Sequence, residues 1–156
     1  MTSTAEIALV AGTAGAALNA GVFLGFQVAV MPALRGAADR TFVEAMRRVN
    51  VAIVNPVFLL VFADPVPALG VASVATGGDR WVVAALVLHL VTVGITAGVN
   101  VPLNDRLAAA GAVHDAAELS RVRSAFEPRW VAAHHVRTAT AVLAAVAGLV
   151  GLATAG

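Results

Sequence analysis

Apolar positions in this chain come in four long runs, with polar positions gathered between and at the ends of them. The runs cover roughly 6–31, 43–63, 81–103 and 129–154. A bilayer-spanning helix needs about 20 mostly apolar residues, and each run meets that length. None alternates with the two-residue period of a barrel strand, so helices are the expected way to satisfy the backbone in lipid. The second run opens on polar turns, "VEAMRRVN", and carries Pro56, which frees the Ala52 carbonyl and kinks a helix. The run "ALGVASVA" at 68–75 extends it after "DPVP". Pro32 ends the first run, and Pro102 ends or bends the third. Between the third and fourth runs, "NDRLAAAGAVHDAAELSRVRSAFEP" has helical spacing of Ala, Leu and Val and predicts a short amphipathic interfacial helix. His114 within it is expected to be solvated. The pattern predicts one all-α domain over 1–156, an integral membrane antiparallel four-helix bundle. Gly21-x-x-x-Gly25 and Gly94-x-x-x-Gly98 are the small-residue pairs expected where helices touch.

Composition agrees: of 156 residues, 60% are apolar and 12% charged, where soluble domains average about 25% charged. A net charge of +1 leaves no basic face for nucleic acid. With no cysteine there is no disulfide, thiolate metal site or thiol nucleophile. "MTSTAEIALV" has no basic n-region, so the first run reads as a retained helix rather than a signal peptide. Arginine sets the topology. Arg35, Arg40, Arg47 and Arg48 fall in loop 32–48, and Arg106, Arg121, Arg123 and Arg129 in loop 104–129. The positive-inside rule puts both loops in the cytoplasm and both termini outside, in a multi-pass protein of the cell inner membrane.

On that topology most polar residues within the runs share one depth, near the cytoplasmic end. Gln27, Asn50, Asn55, Asn100, Asn104, His134, His135 and Arg137 all fall there, and mid-span Asn19 is the exception. His89, Thr92, Thr96 and Asn100 follow i, i+3, i+7, i+11, a polar stripe along one helical face. His134, Arg137 and Thr138 share a face, with His135 about 100° away. Ionisable groups inside a membrane face a cavity or a partner. Each also has a plainer reading. The asparagines serve as interhelical hydrogen-bonding glue, Arg137 snorkels to the headgroups, and Trp130 and Trp81 anchor at opposite interfaces. A metal, if present, would take His134 or His135 and, less readily, His89; the two adjacent histidines cannot both face one point. No acidic residue falls inside the runs, Glu6 and Glu44 sitting only at their starts, which argues against the two-His, one-carboxylate iron triad.

The segments "FLGFQVAVMPALR" (23–35), "FVEAMRRVNVAIVNPVFLLVF" (42–62), "NVPLNDRLAA" (100–109) and "RWVAAHHVRT" (129–138) resemble the anthrone-oxygenase-like family of small four-helix membrane proteins. The resemblance runs over nearly the whole chain, in the family's order. Asn-x-Pro-x-Asn followed by Trp-x(6)-Arg is its most specific part. The family pattern usually has Asn where this chain has His134.

Some members of that family oxidise polyketide anthrones to anthraquinones. The resemblance therefore implies a lipophilic aromatic substrate and O2. An anthrone methylene loses a proton to give a stabilised enolate, which reduces O2 without a protein-supplied redox group. The protein must supply an apolar slot, a base and oxyanion donors. His134 or His135 is the candidate base, and Asn100, Asn104 and Arg137 the candidate donors. Trp130 and Phe58 are placed to stack on the rings, with Asn50, Asn55 and Gln27 as further substrate contacts. No cofactor is favoured, and a metal ion is the variant. The rival reading is a non-catalytic membrane protein that binds a quinone or lipid, or that assembles with a partner. A transporter would have to be oligomeric, and a homo-oligomer fits either main reading.

Overall fold

A computed structural model describes residues 2–111 and 115–154; His114 lies outside them. The described residues form five helices: α1 Ser3–Arg35, α2 Asp39–Ala52, α3 Pro56–Ala75, α4 Arg80–Ala109 and α5 Ala116–Thr154. Four of these, all but α2, are long and apolar enough to cross a membrane. They make an antiparallel bundle in which α1 and α4 each pack on α3 and α5. The protein is an all-α, multi-pass membrane protein.

The second span starts later than its hydropathy suggested. Pro56 cannot donate a backbone hydrogen bond, and Asn55 adopts extended geometry before it. The Asn55 Oδ1 accepts from the Phe58 N–H at 3.0 Å, and its Nδ2 donates to the Ala52 carbonyl at 2.9 Å. Asn55 is thus the N-cap of α3 and the stop of α2 at once. The polar segment before it becomes the separate amphipathic helix α2, with Phe42, Val43 and Met46 buried. The span then runs through Pro65 and Pro67 to Ala75. One consequence overturns a reading above: Asp64, outside a span drawn at 43–63, lies near the middle of α3.

Nor do Pro32 and Pro102 end their helices. Five-residue π-helical turns, Phe26–Val30 and Thr96–Asn100, lie just ahead of them. In each, the N–H preceding the proline reaches back five residues, Met31 to Phe26 and Val101 to Thr96. The wider turn carries the helix past the proline ring, which would strike a carbonyl at α-helical pitch. The residues expected to form a separate interfacial helix are helical, but they prolong α4 to Ala109 and open α5 at Ala116.

At 1.5 Å per residue, α5 is about 58 Å long, α1 about 50 Å and α4 about 45 Å, against about 30 Å for α3. The hydrocarbon core is about 30 Å thick, so three helices outreach it. Their surplus gathers at the arginine-rich end, where α2 covers it. Met31, Phe42, Val43, Met46, Leu103, Leu107, Leu119, Phe126 and Trp130 form the core of this cap. Arg123 fastens it. Its guanidinium pairs with Asp39 at 3.0 Å and Glu127 at 2.7 Å, and donates to the carbonyls of Arg35 and Ala37 at the end of α1.

The close helix contacts fall on other glycines than the expected pairs. A Cβ on Gly12 would meet Leu69 at 2.8 Å and one on Gly15 would meet Pro65 at 2.9 Å, while one on Gly148 would overlap Thr13. Gly21, Gly25, Gly94 and Gly98 have nothing within 4 Å, because that side of their helices faces outward.

Two stability predictions follow from this packing. Gly148→Leu overfills the α1–α5 contact and lowers stability in detergent by about 1–3 kcal/mol, whereas Gly21→Ala leaves it unchanged or raises it by about 0.5–1 kcal/mol. Arg123→Gln removes charged hydrogen bonds to three helices and costs about 2–3 kcal/mol, read as a lower Tm and faster proteolysis within 36–52.

Candidate functional site

Trp130, His134 and Arg137 follow i, i+4, i+7 on α5, so they share one face, and all three are buried. The face meets α1 and α4 at their two π-helical turns. There, helix backbone and side chains together hold a buried guanidinium.

His134 Nε2 lies 3.0 Å from the Phe23 carbonyl oxygen, which can only accept, so Nε2 carries the proton and donates. Its Nδ1 then accepts from Arg137 Nε–H at 3.0 Å. The ring is therefore a neutral imidazole with both nitrogens engaged. Arg137 Nη1 donates to Thr96 Oγ at 3.3 Å. The guanidinium carbon sits 4.3 Å from the Phe23 ring centroid and 5.2 Å from that of Trp130, within cation–π range of both. Trp130 in turn stacks on His134, with centroids 4.8 Å apart and planes 19° off parallel.

The indole is itself held at two points. Trp130 Nε1 donates to Asn104 Oδ1 at 2.9 Å, and Asn100 Nδ2 donates to the Trp130 carbonyl at 3.2 Å. Pro102, between the two asparagines, follows a π-helical turn, so both of them reach α5. Below Arg137, Thr92 and Thr140 share a 2.7 Å hydrogen bond, and Thr140 donates to the Arg137 carbonyl. The stripe of His89, Thr92, Thr96 and Asn100 does face the bundle interior. His89 donates from Nε2 to the Phe62 carbonyl at 3.0 Å, two helical turns from Thr96.

Next to this assembly is a cavity of about 170 Å³. Arg137, Trp130, Asn104, Thr96 and Asn50 supply its polar lining, and Phe23, Phe26, Phe58 and Phe62 its aromatic walls. Val54 and Leu59 line it too and are 64% and 46% exposed. Val54 just precedes the N-cap of α3 and Leu59 lies in its first turn, so the mouth of the cavity is beside the start of α3. Asn50 Nδ2, Asn100 Oδ1 and Gln27 Oε1 are buried without a hydrogen-bond partner. Unsatisfied buried polar atoms are rare and mark places where water or a ligand is held.

The expected residues divide accordingly. Arg137, Trp130, Asn104, Asn50 and Phe58 line the cavity. His134 and Asn100 stand behind that lining, and Gln27 lies half-buried to one side. His135 is exposed on the outer face of α5, and Asn55 is spent on capping α3. Arg137 does not snorkel; its side chain is held inside the bundle. Trp130 is a buried wall rather than an interfacial anchor. Phe23, Phe26 and Phe62 belong to the site unexpectedly. Phe23 and Phe26, three apart and just ahead of Pro32, carried the one usable signal. Among the described residues no three His, Asp or Glu side chains cluster as metal ligands. A metal on His134 would displace either its Phe23 or its Arg137 hydrogen bond.

Set against curated proteins and solved structures, the chain finds no match. The family model described as anthrone oxygenase matches residues 42–147, more than half of the chain and all of the Trp130–Arg137 face. This four-span membrane protein, with its aromatic-walled arginine cavity, belongs to the anthrone oxygenase family.

Proposed function

We propose that the chain is a membrane oxygenase acting on a lipophilic aromatic of the anthrone type. The observation that carries this reading is the fixed Arg137 guanidinium in an aromatic cavity whose mouth is lined by the exposed apolar side chains of Val54 and Leu59. A planar ketone partitions into the bilayer and enters beside Val54 and Leu59. Its rings lie among Phe23, Phe58 and Trp130, with its oxygen toward the free N–H groups of Arg137. Loss of a methylene proton then puts negative charge on that oxygen. A preorganised cation in a water-poor site stabilises the charge far better than water does. The enolate carbon reduces O2; the methylene becomes a second carbonyl, and one water leaves. The chemistry needs no redox group from the protein. A metal ion is the variant of this reading, and in it His134 would exchange a hydrogen bond for the metal.

His134 acts in this scheme as a positioning residue. It holds the Arg137 Nε and cannot accept a proton without losing that bond. His135 faces away. The proton acceptor is then water at the polar rim by Asn50 and Asn104. The positive-inside rule supports a cytoplasmic position for that rim, in the cell inner membrane.

A second reading has one specific observation in its favour: among the described residues, no carboxylate and no imidazole lines the cavity. That suits a protein that holds a quinone-like molecule without changing it. Oxygen uptake separates the two. Detergent-purified protein given an anthrone is predicted to consume O2 above a heat-denatured control, forming quinone in proportion. Arg137→Gln should lower kcat by about 100-fold or more, with Arg137→Lys recovering part of it. His135→Ala should stay within about twofold of the parent, as expected of a group outside the cavity. Binding without uptake supports the holding role instead.

A further inference from the structure

Asp64 lies near the middle of a membrane span. It is eight residues, about 12 Å, from the start of α3 and eleven residues, about 16 Å, from its end. A short aspartate side chain cannot reach either headgroup layer from there. Among the described residues its carboxylate has no hydrogen bond and no ion pair. An ionisable side chain in the hydrocarbon is expensive and calls for a partner. The bundle supplies no bonded partner: the inner face of α3, through Phe58, Pro65 and Leu69, meets mostly apolar side chains and glycines of α1, and Asn19, buried on that same face of α1, makes no hydrogen bond to Asp64.

The outer face of α3 carries a regular pattern. Val57, Leu60, Asp64, Pro67, Val71 and Val74 are spaced 3, 4, 3, 4, 3, which is the heptad seam along which two helices interlock; Asp64 is half-buried and the other five are exposed. Val57, Leu60, Val71 and Val74 are 74%, 65%, 49% and 84% exposed. In the span's most apolar stretch only 22% of residues are buried, the lowest share of the four spans. Alternation of apolar residues alone would suit contact with lipid. One polar residue in the middle of such a seam does not, and in paired helices it is the device that fixes register and partner number.

We infer that α3 is the face on which a second copy of this chain packs, with the two Asp64 carboxyl groups meeting across a twofold axis. The symmetric arrangement is self-complementary: each copy brings the same seam and the same unpaired group. Two carboxyl groups in contact hydrogen-bond through a shared proton, which gives each the partner it lacks in lipid. The interface leaves the cavity open. Leu59 at its mouth lies five residues from Asp64, about 140° around the helix.

The chain has no cysteine, so single introduced cysteines report contacts without background. In liposomes under mild oxidation, Leu60→Cys and Val71→Cys should each give a disulfide-linked dimer. Leu143→Cys, on the exposed face of α5, should give at least tenfold less. Single-molecule photobleaching of the parent should count two copies. Asp64→Leu should weaken dimerisation at least tenfold, whereas Asp64→Asn, which still hydrogen-bonds to its twin, should keep most of it. The proposal is overturned by a monomeric parent, by equal cross-linking at Leu143, or by a dimer indifferent to Asp64→Leu. Dimer loss in Asp64→Asn equal to that in Asp64→Leu would overturn it too, and would point to a cationic partner of another chain. Asp64→Leu keeps α3 apolar, and a cavity-bound aromatic retained at parental affinity shows that the variant is folded.

Discussion

A guanidinium held inside the membrane constrains everything around it. Arg137 is 7% exposed in a span of mostly Ala, Val and Leu. An unmatched charge there would be costly, and this one is matched without a carboxylate. His134 and Thr96 accept from it, and Phe23 and Trp130 offer it their ring faces. These partners come from three different helices, so the interaction is also what registers α1, α4 and α5 against one another. His134 can accept only because its other nitrogen donates to Phe23, and that carbonyl lies beside the π-helical turn that Pro32 demands. One proline, one imidazole and one arginine are thus links in a single chain of cause.

The cap follows from length. Three helices overshoot the hydrocarbon core at the same end, and their apolar sides would stand in the headgroup layer uncovered. The amphipathic α2 buries Phe42, Val43 and Met46 against them, and Arg123 ties it down. Because α3 starts only at Pro56, a gap remains between the cap and this second span. That gap is the mouth of the cavity. The fold therefore opens its most polar buried cluster beside exposed apolar side chains, which suits a ligand that travels in lipid and needs an oxygen recognised.

Much of this is legible in the residues alone, and the misreadings share a cause. Hydropathy marks the four spans and the arginine-rich end, because lipid solvation is a property of composition. The i, i+3, i+4 spacing of His134, Arg137 and Thr138 marks a buried face of α5, and the structure adds Trp130 to it. What hydropathy cannot weigh is the local chemistry of proline. Pro56, preceded by a capping asparagine, starts a helix, whereas Pro32 and Pro102 pass through π-helical turns and end nothing. Reading all three as stops or kinks shifted the second span, left Asp64 outside it and set a separate helix after Asn104. His134 and His135 look equivalent in sequence. Only the side on which each falls, and what already occupies the two nitrogens of His134, separates them.

The most direct test of the account asks whether a flat aromatic sits between Trp130 and Arg137. The chain has two tryptophans, so Trp81→Phe leaves Trp130 as the sole indole reporter. Titrating that protein with an anthraquinone in detergent is predicted to quench Trp130 fluorescence saturably, and Arg137→Gln is predicted to weaken the binding by about tenfold. Quenching that is non-saturable, or saturable with the same affinity in Arg137→Gln, would contradict the claim that this cavity recognises its ligand through the buried guanidinium.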